Sequence, residues 1–134
     1  MITRFQRITL VKLKPAEEDL NKELQFLSES LGLFSQRDRE RSCFRIFIEV
    51  IKAAKLKKGL SSDELAFRLQ LSRGTVVHHL TRLIGAGIVS VKNNKYSLRE
   101  KNLELTLKKM KNDFMSAFEE VEGVASEIDK KLGL

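Results

Sequence analysis

The stretch from Gly59 to Arg99 constrains the chain most, because it packs signals for two short helices and a hairpin into close succession. Ser61 and Glu64 have capping-box spacing: the hydroxyl accepts an N–H of the first turn and the carboxylate reaches back to the cap N–H. Leu65, Ala66 and Leu69 then share one face, with Ala66 small where a neighbouring helix must come close. Leu71 is apolar within a turn, and Ser72 stands where it caps a second helix. Val76, Leu80, Leu83 and Ile84 recur as that helix's inner face, and Gly85-Ala86-Gly87 ends it. Ile88, Val89 and Val91 begin a strand that Tyr96 and Leu98 return. Between them lies the polar turn Lys92-Asn93-Asn94-Lys95, where Asn tolerates the left-handed backbone that such turns need.

The outer face of the second helix carries Arg73, Thr75, Val77, His78, Thr81 and Arg82. These are cations, hydrogen-bonding groups and one purely apolar side chain, with no carboxylate among them. An α-helix fits the major groove of duplex DNA, where such groups reach base edges. Lys92, Lys95 and Arg99 fall on the hairpin, where cations suit phosphate or the minor groove. The bland reading of Arg73 and Arg82 is solvated surface, and that of His79 is a structural histidine beside the core.

The run from Leu60 to Val89, with Asp63-Glu64-Leu65-Ala66, Ser72-x-x-Thr75-Val76, His79-Leu80, Leu83 and Gly87, resembles the winged helix-turn-helix regulators of the ArsR type, especially archaeal ones. The resemblance runs on to about Leu98. It implies a recognition helix at 72–84 in the major groove, a wing at 88–99 on the backbone or minor groove, and a long C-terminal helix used for dimerisation. Two features depart from the family. Gln70 stands where Gly is frequent, and a non-Gly residue with left-handed backbone is uncommon, so the turn is expected to be built differently. The cysteine pairs of metal-sensing members are missing. His78 and His79 are neighbours whose side chains do not share a helix face, so no metal site and no cofactor are expected.

On either side the pattern is helical. Residues 2–14 mix Ile2, Phe5, Ile8, Leu10, Val11 and Leu13 with basic residues and read as a strand or a basic arm. Pro15 opens a helix, as proline tolerates a first turn. Leu20, Leu24, Leu27, Leu31 and Phe34 then mark one apolar stripe, also the seam of a short coiled coil. A helix at about 37–57 is apolar on two faces, Phe44, Phe47, Ile48, Ile51 and Ala54 on one, and Cys43, Ile46 and Val50 on the other. Packing on two sides follows. Residues 101–132 form one long helix with Leu107, Met110, Phe114, Ala117, Val121, Val124 and Ile128 in line. That stripe is longer than a small winged-helix body covers, so pairing with a second chain is expected, with packing on the chain's own helices as the alternative. The expected dimerisation residues are Leu20, Leu24, Leu27, Leu31, Leu107, Met110, Phe114, Val121 and Ile128.

The fold expected is therefore mainly α with a small β-hairpin, a winged helix-turn-helix flanked by amphipathic helices. Its segments are 1–36 (basic arm or strand plus helix), 37–99 (the winged domain) and 100–134 (the C-terminal helix). With 134 residues, 42% hydrophobic and 32% charged, the chain is a globular protein rather than a disordered one. The net charge of +7 favours polyanions, and the excess lies in residues 37–99. No apolar run is long enough for a membrane span. A single cysteine, Cys43, closes no disulfide within the chain, and a cytoplasmic, nucleoid-associated location is expected.

The expected function is a homodimeric, sequence-specific regulator binding double-stranded DNA, with no mark of an effector. An architectural DNA-coating protein and a winged-helix protein-interaction module stay open beside it. An enzyme is not expected, since no glycine-rich phosphate loop, nucleophile–base pair or metal-ligand cluster is present.

Overall fold

The structure, a computed structural model, describes residues 19–33 and 41–134. The readings at 2–14, at Pro15, at Phe34 and at the start of the second helix near Arg37 lie outside these residues. The elements are α1 (Leu20–Ser30), α2 (Ser42–Lys55), α3 (Ser62–Leu69), α4 (Arg73–Gly85), β1 (Val89–Lys92), β2 (Lys95–Leu98) and α5 (Leu103–Leu132). Helices followed by a two-stranded antiparallel hairpin make this a winged helix-turn-helix.

The core forms around α2, whose two-faced pattern puts Cys43, Phe44, Ile46, Phe47 and Val50 out of solvent. Leu65 of α3, Val76, Leu80 and Leu83 of α4, and Ile88 close on it, each fully buried. Each such side chain contributes ~1.5–3 kcal/mol relative to exposure. This packing fixes which face of α4 points outward.

The turn between α3 and α4 corrects the expectation that Gln70 imposes a different build. Gln70 adopts the left-handed conformation itself, at φ 54° and ψ 46°. Two devices hold it there. Leu71 N–H donates to the Ala66 carbonyl at 3.0 Å, closing the helix end as a Schellman-type turn does. The Arg45 guanidinium, from α2, donates to the Leu69 carbonyl at 2.7 Å. The hairpin turn is as expected: Asn93 and Asn94 have φ of 51° and 60°, the paired left-handed residues of a tight hairpin.

The sequence reading missed a third, minimal strand. Leu60 pairs with Tyr96 through two backbone hydrogen bonds of 2.9 and 2.8 Å, so the segment before α3 extends the hairpin. Gly59 makes this possible, as a Cβ there would lie 2.7 Å from the Cβ of Lys95.

The apolar stripes of the flanking helices are covered only in part. Helix α1 begins at Leu20, capped by Asp19, whose side chain accepts from Asn21 N–H at 3.0 Å. Leu27 and Leu31 pack against the chain's own core, as do Leu107 and Met110 of α5. Met110 is buried there, and the other three are half-buried. Leu24 and Phe114 are half-buried, and Leu20, Val121 and Ile128 are exposed.

The start of α5 is fastened polar group by polar group. Asn102 caps it by accepting from Leu105 N–H at 2.9 Å. The buried Thr106 hydroxyl donates to the Asn102 carbonyl and accepts from Glu100 N–H. From Met115 to the last residue every side chain is exposed.

Candidate nucleic-acid interface

The N-terminus of α4 is set by Ser72, whose hydroxyl oxygen accepts from Thr75 N–H at 3.1 Å and donates its proton to the Thr75 hydroxyl at 2.8 Å. The half-buried Thr75 is thereby held close to the cap. Arg73, Val77, His78 and Thr81 stand exposed on the outward face. Thr81 donates its proton to the Val77 carbonyl at 2.8 Å, leaving its oxygen to accept. Arg82 is half-buried in the last turn, where a cation suits the helix dipole. His79 is buried on the other side, its ring meeting that of His78 edge-on at 5.3 Å. Gly74 and Gly85 also lie on α4, with nothing within 4 Å of where a Cβ would stand.

The three hairpin cations differ in their surroundings. Lys92 is exposed at the turn and belongs to no ion pair among the described residues. Lys95 is exposed too, but its ammonium lies 2.8 Å from the Glu64 carboxylate. Arg99 is not on the outer wing. It follows β2, and its guanidinium pairs with Asp113 of α5 at 2.6 Å and reaches the Gly87 carbonyl at 3.4 Å. Arg99 thus stands at the joint between hairpin and α5.

The ionisation of Glu64 is strongly perturbed. The hydrogen bond from Lys95, then that from Ser61 N–H, hold its carboxyl down at about 2 from an ordinary 4.5. Asp63, beside it, sits 3.5 Å from Arg73, with both side chains largely in water. Neither carboxylate's partner was expected from the sequence; opposite charge was the only signal, and the Glu64–Lys95 pair spans 31 residues. No Asp or Glu occurs between Glu64 and Glu100, so α4 and the wing contribute no carboxylate of their own.

A short capped helix, a tight turn, a second helix with an outward cationic and hydrogen-bonding face, and a hairpin beside it define the class: a winged helix-turn-helix of the kind that supports DNA-binding regulators. Residues 54–91 match the family model described as bacterial regulatory protein, arsR family, from the end of α2 into β1. The match covers less than half of the chain and is with a family of DNA-binding regulators rather than enzymes. No curated protein and no solved structure matched the chain. Among the described residues no helix is long and apolar enough to cross a membrane, and no group of three or more His, Cys, Asp or Glu is placed to hold a metal ion.

Proposed function

We propose that the chain is a homodimeric transcriptional regulator that reads double-stranded DNA, with α4 in the major groove and the wing on the backbone. The observation that carries this reading is the outward face of α4, where Arg73, Val77, His78 and Thr81 are all exposed, continuing to the exposed Lys92 with no carboxylate on either element. Arg73 offers a bidentate donor to guanine, His78 a second polar contact, and Val77 an apolar contact for a thymine methyl. Arg73 must leave Asp63 to do so, which costs little because an exposed pair is weak.

The second copy is supported by α5. Phe118, Val121, Val124, Ile128 and Leu132 form an exposed apolar stripe on a helix segment whose other residues are mostly charged. From Phe118 to Leu132 the helix rises about 21 Å at 1.5 Å per residue, a seam for an identical helix. Two recognition helices in successive major grooves sit ~34 Å apart, so the preferred site is an imperfect palindrome.

Fluorescence anisotropy against a random duplex pool and against selected duplexes, at low and physiological salt, tests the reading. Salt-steep binding with selection of a palindrome supports it. Equally tight binding to every duplex replaces it with an architectural role, and no binding at low salt removes DNA altogether. Arg73→Ala should weaken binding to the selected site by ~1–3 kcal/mol and relax preference at one base pair. Uniform weakening on all sequences would remove base reading from Arg73.

A further inference from the structure

The two lysines flanking the hairpin turn carry the same charge and sit opposite one another in the β1–β2 register, yet they have different surroundings. Lys92 lies open to solvent, in no ion pair among the described residues. Lys95 is exposed but held by three attachments. Its ammonium donates to the Glu64 carboxylate at 2.8 Å. Its backbone and Cβ lie against Gly59, where there is no room for a methyl group. The residue after it, Tyr96, is bonded twice to Leu60. Glu64 itself is not free to swing, because the capping box fixes it: Ser61 N–H donates to the same oxygen at 3.3 Å, and Glu64 N–H donates to the Ser61 hydroxyl at 3.0 Å.

We infer that Glu64 is a positioning residue for the wing: it engages Lys95 as an internal tether to α3 and leaves Lys92 as the wing's phosphate ligand. This rests on the DNA-binding reading for the role of Lys92 and deepens it for Lys95. The reasoning is electrostatic. A phosphate approaching Lys95 meets an ammonium already sharing a proton with a carboxylate, and it also meets that carboxylate's negative charge. At Lys92 it meets neither. The low ionisation range of Glu64 keeps the carboxylate charged throughout the neutral range, so the tether does not release by protonation. The contact thus adds to the Leu60–Tyr96 bridge in tying the wing to α3 before any DNA arrives.

The test is the salt dependence of duplex binding for the full chain and for Lys92→Gln, Lys95→Gln and Glu64→Gln. Gln at position 64 still closes a capping box, so the helix start is spared. Each phosphate neutralised contributes a slope of about −0.9 in log K against log salt. Lys92→Gln should make the slope shallower by about one. Lys95→Gln should leave it nearly unchanged, and Glu64→Gln should steepen it by up to about one, as Lys95 becomes available. A loss of about one unit with Lys95→Gln, and no change with Glu64→Gln, would overturn the inference while leaving DNA binding intact. If the wild-type chain binds no duplex, the DNA reading fails by itself, and hydrogen exchange still decides the tether. The Leu60 and Tyr96 amides should exchange about two- to fivefold faster in Glu64→Gln and Lys95→Gln, the range for a partly exposed ion pair, and no faster again in the double variant. Exchange at the wild-type rate in both single variants, or independent additive effects, rejects the tether.

Discussion

A methyl group at position 59 would stand 2.7 Å from the Lys95 Cβ and 3.3 Å from the Lys95 carbonyl carbon. Neither atom is the loose end of a side chain, so the base of the wing must move. Gly59→Ala is therefore expected to destabilise the fold by about 1–3 kcal/mol, the range for overpacking, read as a lower urea midpoint with an unchanged slope. Gln70 is the reverse case. Its left-handed backbone is strained for a side chain, and Gln70→Gly should raise stability by about 1 kcal/mol in the same melt. An unchanged midpoint would mean that the glutamine side chain makes contacts that offset the strain. At this scale the sequence was legible wherever a contact closes within a few residues, as in the Ser61–Glu64 box, the Ser72 cap and the Asn93-Asn94 turn. It was opaque where the fold brings distant residues together. Arg45 on the Leu69 carbonyl, 24 residues away, and Glu64 on Lys95, 31 residues away, leave no local trace.

Helices α1 and α5 show how one periodicity serves different ends. Leu27, Leu31, Leu107 and Met110 satisfy their stripes against the body, whereas Phe118, Val121, Val124, Ile128 and Leu132 stay in solvent. Spacing alone marks an apolar face without saying what covers it, so the division falls where the body ends, just past the Arg99–Asp113 pair. The minimal strand at Leu60 was hidden for a similar reason: a single bridging residue carries no alternation. On the dimer reading, Val121→Glu and Ile128→Glu should each weaken self-association at least about tenfold, since a carboxylate is costly in an apolar seam. Both positions are exposed within one chain, so the melting temperature of the dissociated body should be unchanged. Sedimentation equilibrium measures this, and a wild-type chain that stays monomeric at high concentration would dispose of the seam.

Across the whole molecule, the wing, α3 and α4 share one core, so global unfolding breaks the Glu64–Lys95 contact and carries its small pH-dependent contribution. The carboxyl's range is lower in the folded chain, about 2 against an ordinary 4.5. Its contribution is thus complete above about pH 5 and is lost as the pH falls from about 4.5 towards 2. Melting curves of the wild type and Glu64→Gln should differ at pH 6 to 7 and converge on acidification through that window. A gap that stays constant down to pH 2 would mean that the pair does not set the carboxyl's ionisation. The same compact arrangement has an optical consequence. Tyr96 is the chain's one tyrosine, and there is no tryptophan. Its ring sits half-buried at the seam where the hairpin meets Leu60. The protein's native ultraviolet emission therefore comes from the root of the wing, and any event that shifts that root is recorded without a dye, a tag or a substitution.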